Sequence, residues 1–222
     1  TAVSINADNP NELGDYGVSK VLNVSSDNLK DFNAFLYADV IKQAFEKEDS
    51  SIVMISSSSN TKYLGSILSV KINAGYITNV VDVPKEFNPI TVKRNSFTNK
   101  AFEYAKVNSK NSLLAISKNS HGIIENKTTA QIENFEVSIE SSDTSVKSTE
   151  KATNKVTIAD AEIVISGGRG LKGPENWGMI EELADILGAA TACSKPVSDL
   201  GWRPHSEHVG QTGKLVSSNL YI

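Results

Sequence analysis

The sequence predicts an α/β protein: a mainly parallel α/β sandwich with an antiparallel extension, followed by a smaller, incomplete strand–helix–strand unit. Three observations predict it. Short β-branched runs alternate with stretches of helical period from Ala2 to Val83. That period disappears between Pro89 and Ile139. An apolar run ending in a glycine cluster, Ile163 to Gly173, then starts the alternation again.

In order, Ala2 to Ile5 is a short strand that ends in the turn-rich Asn6-Ala7-Asp8-Asn9-Pro10, and Val18 to Val24 is a second strand. Asp27 or Asn28 is expected to cap a helix from Leu29 to Lys47. Within it Phe32, Phe35, Leu36, Val40, Ala44 and Phe45 recur at three- and four-residue spacing. Ile52 to Ile55 is fully apolar, the pattern of a strand buried on both faces of a parallel sheet. Asn60 is expected to cap a helix from Thr61 to Ile72 that Gly75 ends, and Tyr76 to Val83 is the next strand. Ile90 to Lys93, Ala101 to Val107, Leu113 to Ile116 and Ile132 to Ile139 read as strands of an antiparallel addition.

The first domain is therefore placed at 1–140 and the second at 158–222. The polar stretch 141–157, nearly free of large apolar residues, is a linker. In the second domain Ala161 to Ile165 is a strand, and Pro174 or Glu175 to Leu187 is a helix. Its apolar face is Trp177, Ile180, Leu183, Ala184 and Leu187, and Gly188 ends it. Ala189 to Cys193 is a small-residue strand, a loop follows, and Leu215 to Ile222 holds a last strand. About 60 residues is small for an independent nucleotide domain, so the unit reads as unfinished.

Composition narrows the function. Of 222 residues, 22% are charged with net charge −4, so no basic field invites nucleic acid. No apolar run approaches the roughly 20 residues that span a bilayer, so no membrane insertion is expected. Thr1 to Pro10 lacks the basic start and apolar core of a signal peptide, and with no initiator Met a processed, trimmed or incomplete product is expected. The lone Cys193 excludes an intramolecular disulfide framework and fits a reducing compartment.

Several motifs compete. Gly168-Arg169-Gly170-Leu171-Lys172-Gly173 matches G-x-G-x-x-G between strand and helix, but its acidic partner, Asp185, falls inside the helix. An arginine in that turn places a fixed cation beside unpaired helix N–H groups, suited to phosphate or an electron-rich ring. Gly213-Lys214 fails as a P-loop ending, because Leu215 stands where Ser or Thr is needed. His205 and His208 lack a third metal ligand and read as loop residues, as does His121. Cys193 has neither a resolving Cys nor a pairing His and is not a nucleophile. The run Ser56 to Ser59 could cradle phosphate but reads as a solvated loop.

The stretch VISGGRGLKGPENWGMIEELADILGAATACSKPVSDLGW, followed by HVGQTGKLVSSNLYI, resembles the FAD-binding domain of the electron transfer flavoprotein alpha subunit. The first domain resembles the family more loosely, at Lys20-Val21-Leu22 and from Ser57 to Val80. The resemblance implies an incomplete Rossmann-like FAD-binding domain behind the α/β sandwich. It also implies a heterodimer with a beta subunit, acyl-CoA or other dehydrogenases as electron donors, and a quinone oxidoreductase or similar acceptor. Such a protein is a redox carrier, associated with fatty acid oxidation, in the bacterial cytoplasm or the mitochondrial matrix. Carried over residue by residue, Arg169 lies by the cofactor, Ser194 and Lys195 contact the flavin, and Gln211, Thr212 and Gly213 reach its ring, with Thr212 at N5. Lys195 stands where the family usually has arginine, which implies a weaker grip on the reduced, anionic flavin. The family's sequence also continues past the final strand with further cofactor contacts and opens with an earlier strand and helix, so a chain truncated at both ends is expected. Two other readings stay open: a nucleotide-binding or structural subunit without flavin, and a flavin- or NAD-dependent oxidoreductase with its own small substrate.

Overall fold

The computed structural model describes residues 1–139, 146–148 and 156–222. The chain divides into two compact units, Thr1–Ser148 and Thr149–Ile222. The expected linker, residues 141–157, lies largely outside the described residues.

In the first unit, β1 (Ala2–Ile5), β2 (Lys20–Val24) and β9 (Gln131–Asn134) form a parallel sheet with β2 in the centre. A second sheet runs β3 (Ile52–Ser56), β8 (Asn111–Ile116), β4 (Ala74–Val80), β6 (Ile90–Ser96), β5 (Glu86–Phe87). Its β3, β8 and β4 are parallel; β5 and β7 (Ala101–Lys106) pair antiparallel with β6. The antiparallel addition is thus β5 to β7 alone. The expected strands at 113–116 and 132–139 instead enter the two sheets in parallel, because β8 fills the place between β3 and β4 and β9 lies beside β2.

Helix α1 (Ala34–Lys47) serves both sheets. Its Leu36 and Val40, four apart, pack with Val24, Leu29, Val3 and Ile5. Its Ala38, Ile41 and Phe45 pack with Leu68 and Leu113 and, at the rim, with Val53 and Ile55. Each fully buried leucine here adds roughly 1.5–3 kcal/mol relative to an exposed one. The helix begins five residues later than expected. Asn33 caps it, accepting from the N–H groups of Phe35 (3.0 Å) and Leu36 (3.3 Å). Asp27–Leu29 forms a 3-10 turn instead, which buries Leu29 and offers its carbonyl to the Tyr37 hydroxyl at 3.1 Å.

Helix α2 (Ser59–Lys71) is capped by Ser58, not Asn60, through its hydroxyl on Thr61 N–H. The left-handed residue after α2 is Asn73 (φ 49°). Gly75 is needed inside β4 for a different reason: a Cβ there would meet Val107 Cγ1 at 2.7 Å and the Ser109 hydroxyl at 2.8 Å. Strand β3 is not buried on both faces. Met54 is 56% exposed, and among the described residues β3 pairs only with β8, as β1 pairs only with β2. A cleft of about 370 Å³ touches both strands and is lined by Ala2, Val3, Ile52, Val53 and, from α1, Ile41 and Phe45.

An ion cluster ties β2, α1 and β9. Lys20 lies 2.6 Å from Glu48 and 3.1 Å from Glu133, and Lys47 also pairs with Glu133. Hydrogen bonds from Lys20 and then Thr1 hold the Glu48 carboxyl below the usual range; those from Lys47 and then Lys20 do so for Glu133. A carboxyl depressed in the folded state adds stability that is complete above its unfolded value and is lost as pH falls through the folded one. Lys20→Met is therefore expected to lower stability at pH 7 and to flatten its decline between about pH 5 and pH 3. Urea midpoints at the three pH values, followed through the Val21 and Leu22 amides of β2 so that the first unit alone is read, check this; an unchanged slope would assign the acid sensitivity elsewhere.

In the second unit β10 (Ile163–Gly167) is flanked in parallel by β11 (Ala190–Cys193) and β12 (Leu220–Tyr221). The β-branched run 163–165 supplies Val164 and Ile165 to the core, and the small residues of β11 let neighbouring chain approach closely. The segment after the glycine cluster opens with a 3-10 turn, Pro174–Asn176, before α3 (Gly178–Leu187), which Gly188 ends in the left-handed conformation (φ 60°). Trp177 and Ala184 are buried, whereas Leu183 and Leu187 on the expected apolar face are more than a third exposed. The last strand is only two residues long. A short helix, α4 (Lys195–Asp199), stands where a loop is expected.

Candidate functional site

Three loops of the second unit meet at the carboxyl ends of adjacent parallel strands, the position where open α/β sheets bind ligands. Gly167 and Cys193 are register partners at the ends of β10 and β11. Ser194 N–H donates to the Gly167 carbonyl (3.1 Å), and Val209 N–H donates to the Cys193 carbonyl (3.0 Å). The segments that leave these strands, 168–170, 194–195 and 210–213, are thereby held side by side.

The first loop is a 3-10 turn, Arg169–Leu171. Its opening N–H groups have no preceding carbonyl within the turn to serve them. A Cβ on Gly170 would meet nothing within 4 Å, and one on Gly168 only the Ser194 hydroxyl at 4.0 Å. The backbone here is open to close approach by a ligand. Arg169 is exposed and makes no ion pair among the described residues.

Ser194 is half-buried and its carbonyl accepts from Val197 (3.0 Å) and Ser198 (3.3 Å), which starts α4. Lys195, the first residue of α4, is exposed. In the third loop Gly213 N–H donates to Gly210 carbonyl (3.0 Å) and Lys214 N–H to His208 carbonyl (2.7 Å). That tight turn puts Gln211 and Thr212 at its exposed tip. Gly210 has φ 127°, and a Cβ on Gly213 would strike the His208 carbonyl oxygen, so both positions favour glycine. Arg169, Ser194, Lys195, Gln211, Thr212 and Gly213 thus sit on three neighbouring loops. No hydrogen bond joins the side chains of Arg169, Lys195, Gln211 and Thr212 to one another among the described residues.

Beneath the loops lies a support that the loop motifs did not disclose. Trp177 is 2% exposed and packs with Cys193, Val197, Leu171 and Trp202. A Cβ on Gly167 would meet the Trp177 ring at 2.5 Å, which explains the glycine at the strand end better than any ligand does. Arg203 stacks 5.3 Å from the Trp177 ring centre. Its guanidinium grips Glu207 with two bonds (2.6 and 2.7 Å) and Glu181 of α3 with a third (2.9 Å). The one sequence signal was the Arg203-x-x-x-Glu207 spacing.

Burial, and secondarily Glu207, pushes the Cys193 thiol up, against the opposing pull of Arg203, so the thiol stays protonated. His205 Nδ1 shares a 2.9 Å hydrogen bond with Ser198, and His208 is buried. No group of three metal-binding side chains exists among the described residues, and none of their helices is long and apolar enough to cross a membrane.

Hydrogen-bond donors dominate this loop set: an arginine, a lysine, hydroxyls and free N–H groups around glycine backbone. That chemistry fits a dinucleotide, with cations and N–H groups for its phosphates. Two clefts in the first unit, of about 370 and 470 Å³, offer no comparable set; the larger lies at Asn23–Ser26 and Asn134–Val137.

A family model described as the electron transfer flavoprotein FAD-binding domain matches residues 157–222, and one described as the electron transfer flavoprotein domain matches residues 1–140. The electron transfer flavoprotein subunit alpha of Bacillus subtilis is 30% identical over 214 residues, covering 95% of this chain and 66% of that protein. That of Syntrophomonas wolfei is 30% identical over 217 residues, covering 95% and 68%. The mitochondrial alpha subunit of Dictyostelium discoideum is 46% identical over 72 residues, covering 32% and 20%. The chain spans about two thirds of the length of the first two.

Proposed function

The chain belongs to the electron transfer flavoprotein alpha-subunit family, and from that premise we propose that it is the FAD-binding subunit of a redox carrier. In this reading it pairs with a beta subunit, takes electrons from partner dehydrogenases, acyl-CoA dehydrogenases among them, and delivers them to a quinone oxidoreductase or similar acceptor. The bacterial cytoplasm or the mitochondrial matrix is the compartment that suits it. The observation that carries the reading is the meeting of three donor-rich loops at the carboxyl ends of adjacent parallel strands.

FAD, when bound, supplies one- and two-electron redox chemistry, so the chain need not supply an acid, a base or a nucleophile. Its residues bind and tune. Arg169 and the N–H groups opening its turn hold phosphate negative charge. Lys195 and the Ser194 hydroxyl would hold FAD with a cation and a hydrogen-bond donor, which would favour its reduced, anionic form. Thr212, at the exposed tip of the Gly210–Gly213 turn, would offer the bound cofactor a hydroxyl that can either donate or accept a hydrogen bond. The rival reading, an oxidoreductase with its own small substrate, would use His205 or His208 for protons; the first is tied to Ser198 and the second is buried.

The test is co-purification with a beta subunit. The complex is expected to show visible flavin absorbance, or to acquire it on adding FAD, and to lose it in the Arg169→Glu variant. A folded, colourless complex that takes up no FAD would reject the proposal.

A further inference from the structure

Among the described residues Arg203 makes its hydrogen bonds and ring contact with Glu207, Glu181 and Trp177 rather than with the three loops, yet these partners reach the base of two of them. We propose that Arg203 is a positioning residue that sets the Gly210–Gly213 turn for the cofactor; the part that concerns FAD rests on the function proposed above. Two forked bonds fix Glu207, and Glu207 is followed directly by His208. The His208 carbonyl is the acceptor that folds the turn, taking Lys214 N–H at 2.7 Å and facing Gly213 so closely that no side chain fits there. Val209 N–H then anchors the same segment to the Cys193 carbonyl.

On its other side the guanidinium is held by Glu181 of α3 and by the face of Trp177, which itself backs Gly167 below the Arg169 turn. One planar group therefore relates the start of α3, the end of β10 and the approach to the third loop. The Arg203 and Glu207 side chains are only 16% and 14% exposed, so water screens the fork less than it does a surface pair. A lysine could satisfy the charge but not the two parallel bonds together with the stacking.

The experiment uses the full chain with its beta subunit and three variants: Arg203→Lys, Arg203→Met and Glu207→Gln. Two quantities are read, amide exchange residue by residue and FAD affinity by fluorescence titration. Loss of the fork is expected to speed exchange of the Lys214 and Val209 amides about tenfold or more, to weaken FAD about tenfold, and to leave the Val164 and Ile165 amides of β10 unchanged. Arg203→Lys should fall between wild type and Arg203→Met. Equal acceleration in β10 and at Lys214 would mean general destabilisation and overturn the proposal, as would unchanged exchange at Lys214. Should Arg203→Met fail to fold, the lysine and glutamine variants decide. A wild-type complex that binds no FAD would sink the flavin reading alone, since the exchange measurements still decide whether the clamp exists.

Discussion

Trp177→Ala is expected to destabilise the second unit by about 3–5 kcal/mol, the range for deleting a large buried aromatic side chain. The ring fills the space between β10, β11 and α4, against Cys193, Val197 and Leu171, and it is the surface on which Arg203 lies. Its removal leaves a cavity that Gly167, lacking a side chain, cannot fill. Trp177→Phe is the control. The indole Nε1–H is buried without a hydrogen-bond partner among the described residues, so phenylalanine removes an unsatisfied donor along with some contact area. The phenylalanine variant should lie within about 1.5 kcal/mol of wild type. Because the chain holds two units, a single unfolding curve is a poor gauge. Exchange of the Val164 and Ile165 amides reports on the right sheet. Similar exchange rates for the alanine variant and wild type would show that the unit is held elsewhere.

Arg169→Glu is expected to weaken FAD binding in the complex by at least about 100-fold while leaving the fold intact. Arg169 is exposed and makes no ion pair among the described residues, so replacing it breaks nothing within the chain. What changes is the charge beside the opening N–H groups of its turn, which passes from attracting a phosphate to repelling it. Arg169→Lys keeps the charge and loses the fork, and should cost about tenfold. Raising the salt concentration should narrow both differences, as it does for any exposed charge. An affinity for FAD that survives the charge reversal would take Arg169 out of the site.

Much of this was legible in the residues. The β-branched run at 163–165 ending in glycines marked a strand and the loop beyond it, and both stand in the structure. The first helix shows what was not. Asp27, Asn28, Asp31 and Asn33 can all cap, and the choice falls to Asn33 because Leu29, in the 3-10 turn ahead of it, packs against Tyr37 of the helix. Strand β3 is apolar from Ile52 to Ile55, yet its period cannot reveal that among the described residues it lies on a sheet edge. The parallel entry of β8 and β9 depends on partners far away in sequence. The site divides in the same way. Its loops announce themselves by glycines at strand ends, whereas Arg203 meets Glu181, 22 residues away, and no local pattern joins them.

The two strands that border the first unit's cleft have a further consequence. Natural sheets guard their edges with lysine, proline or bulges. Neither β1 (AVSI) nor β3 (IVMIS) contains a charge or a proline, and each ladder is regular. Among the described residues, each leaves the backbone donors and acceptors of one side without a strand partner beside an apolar surface. An extended apolar segment that reaches the cleft can gain a hydrogen-bond ladder and a dry face together.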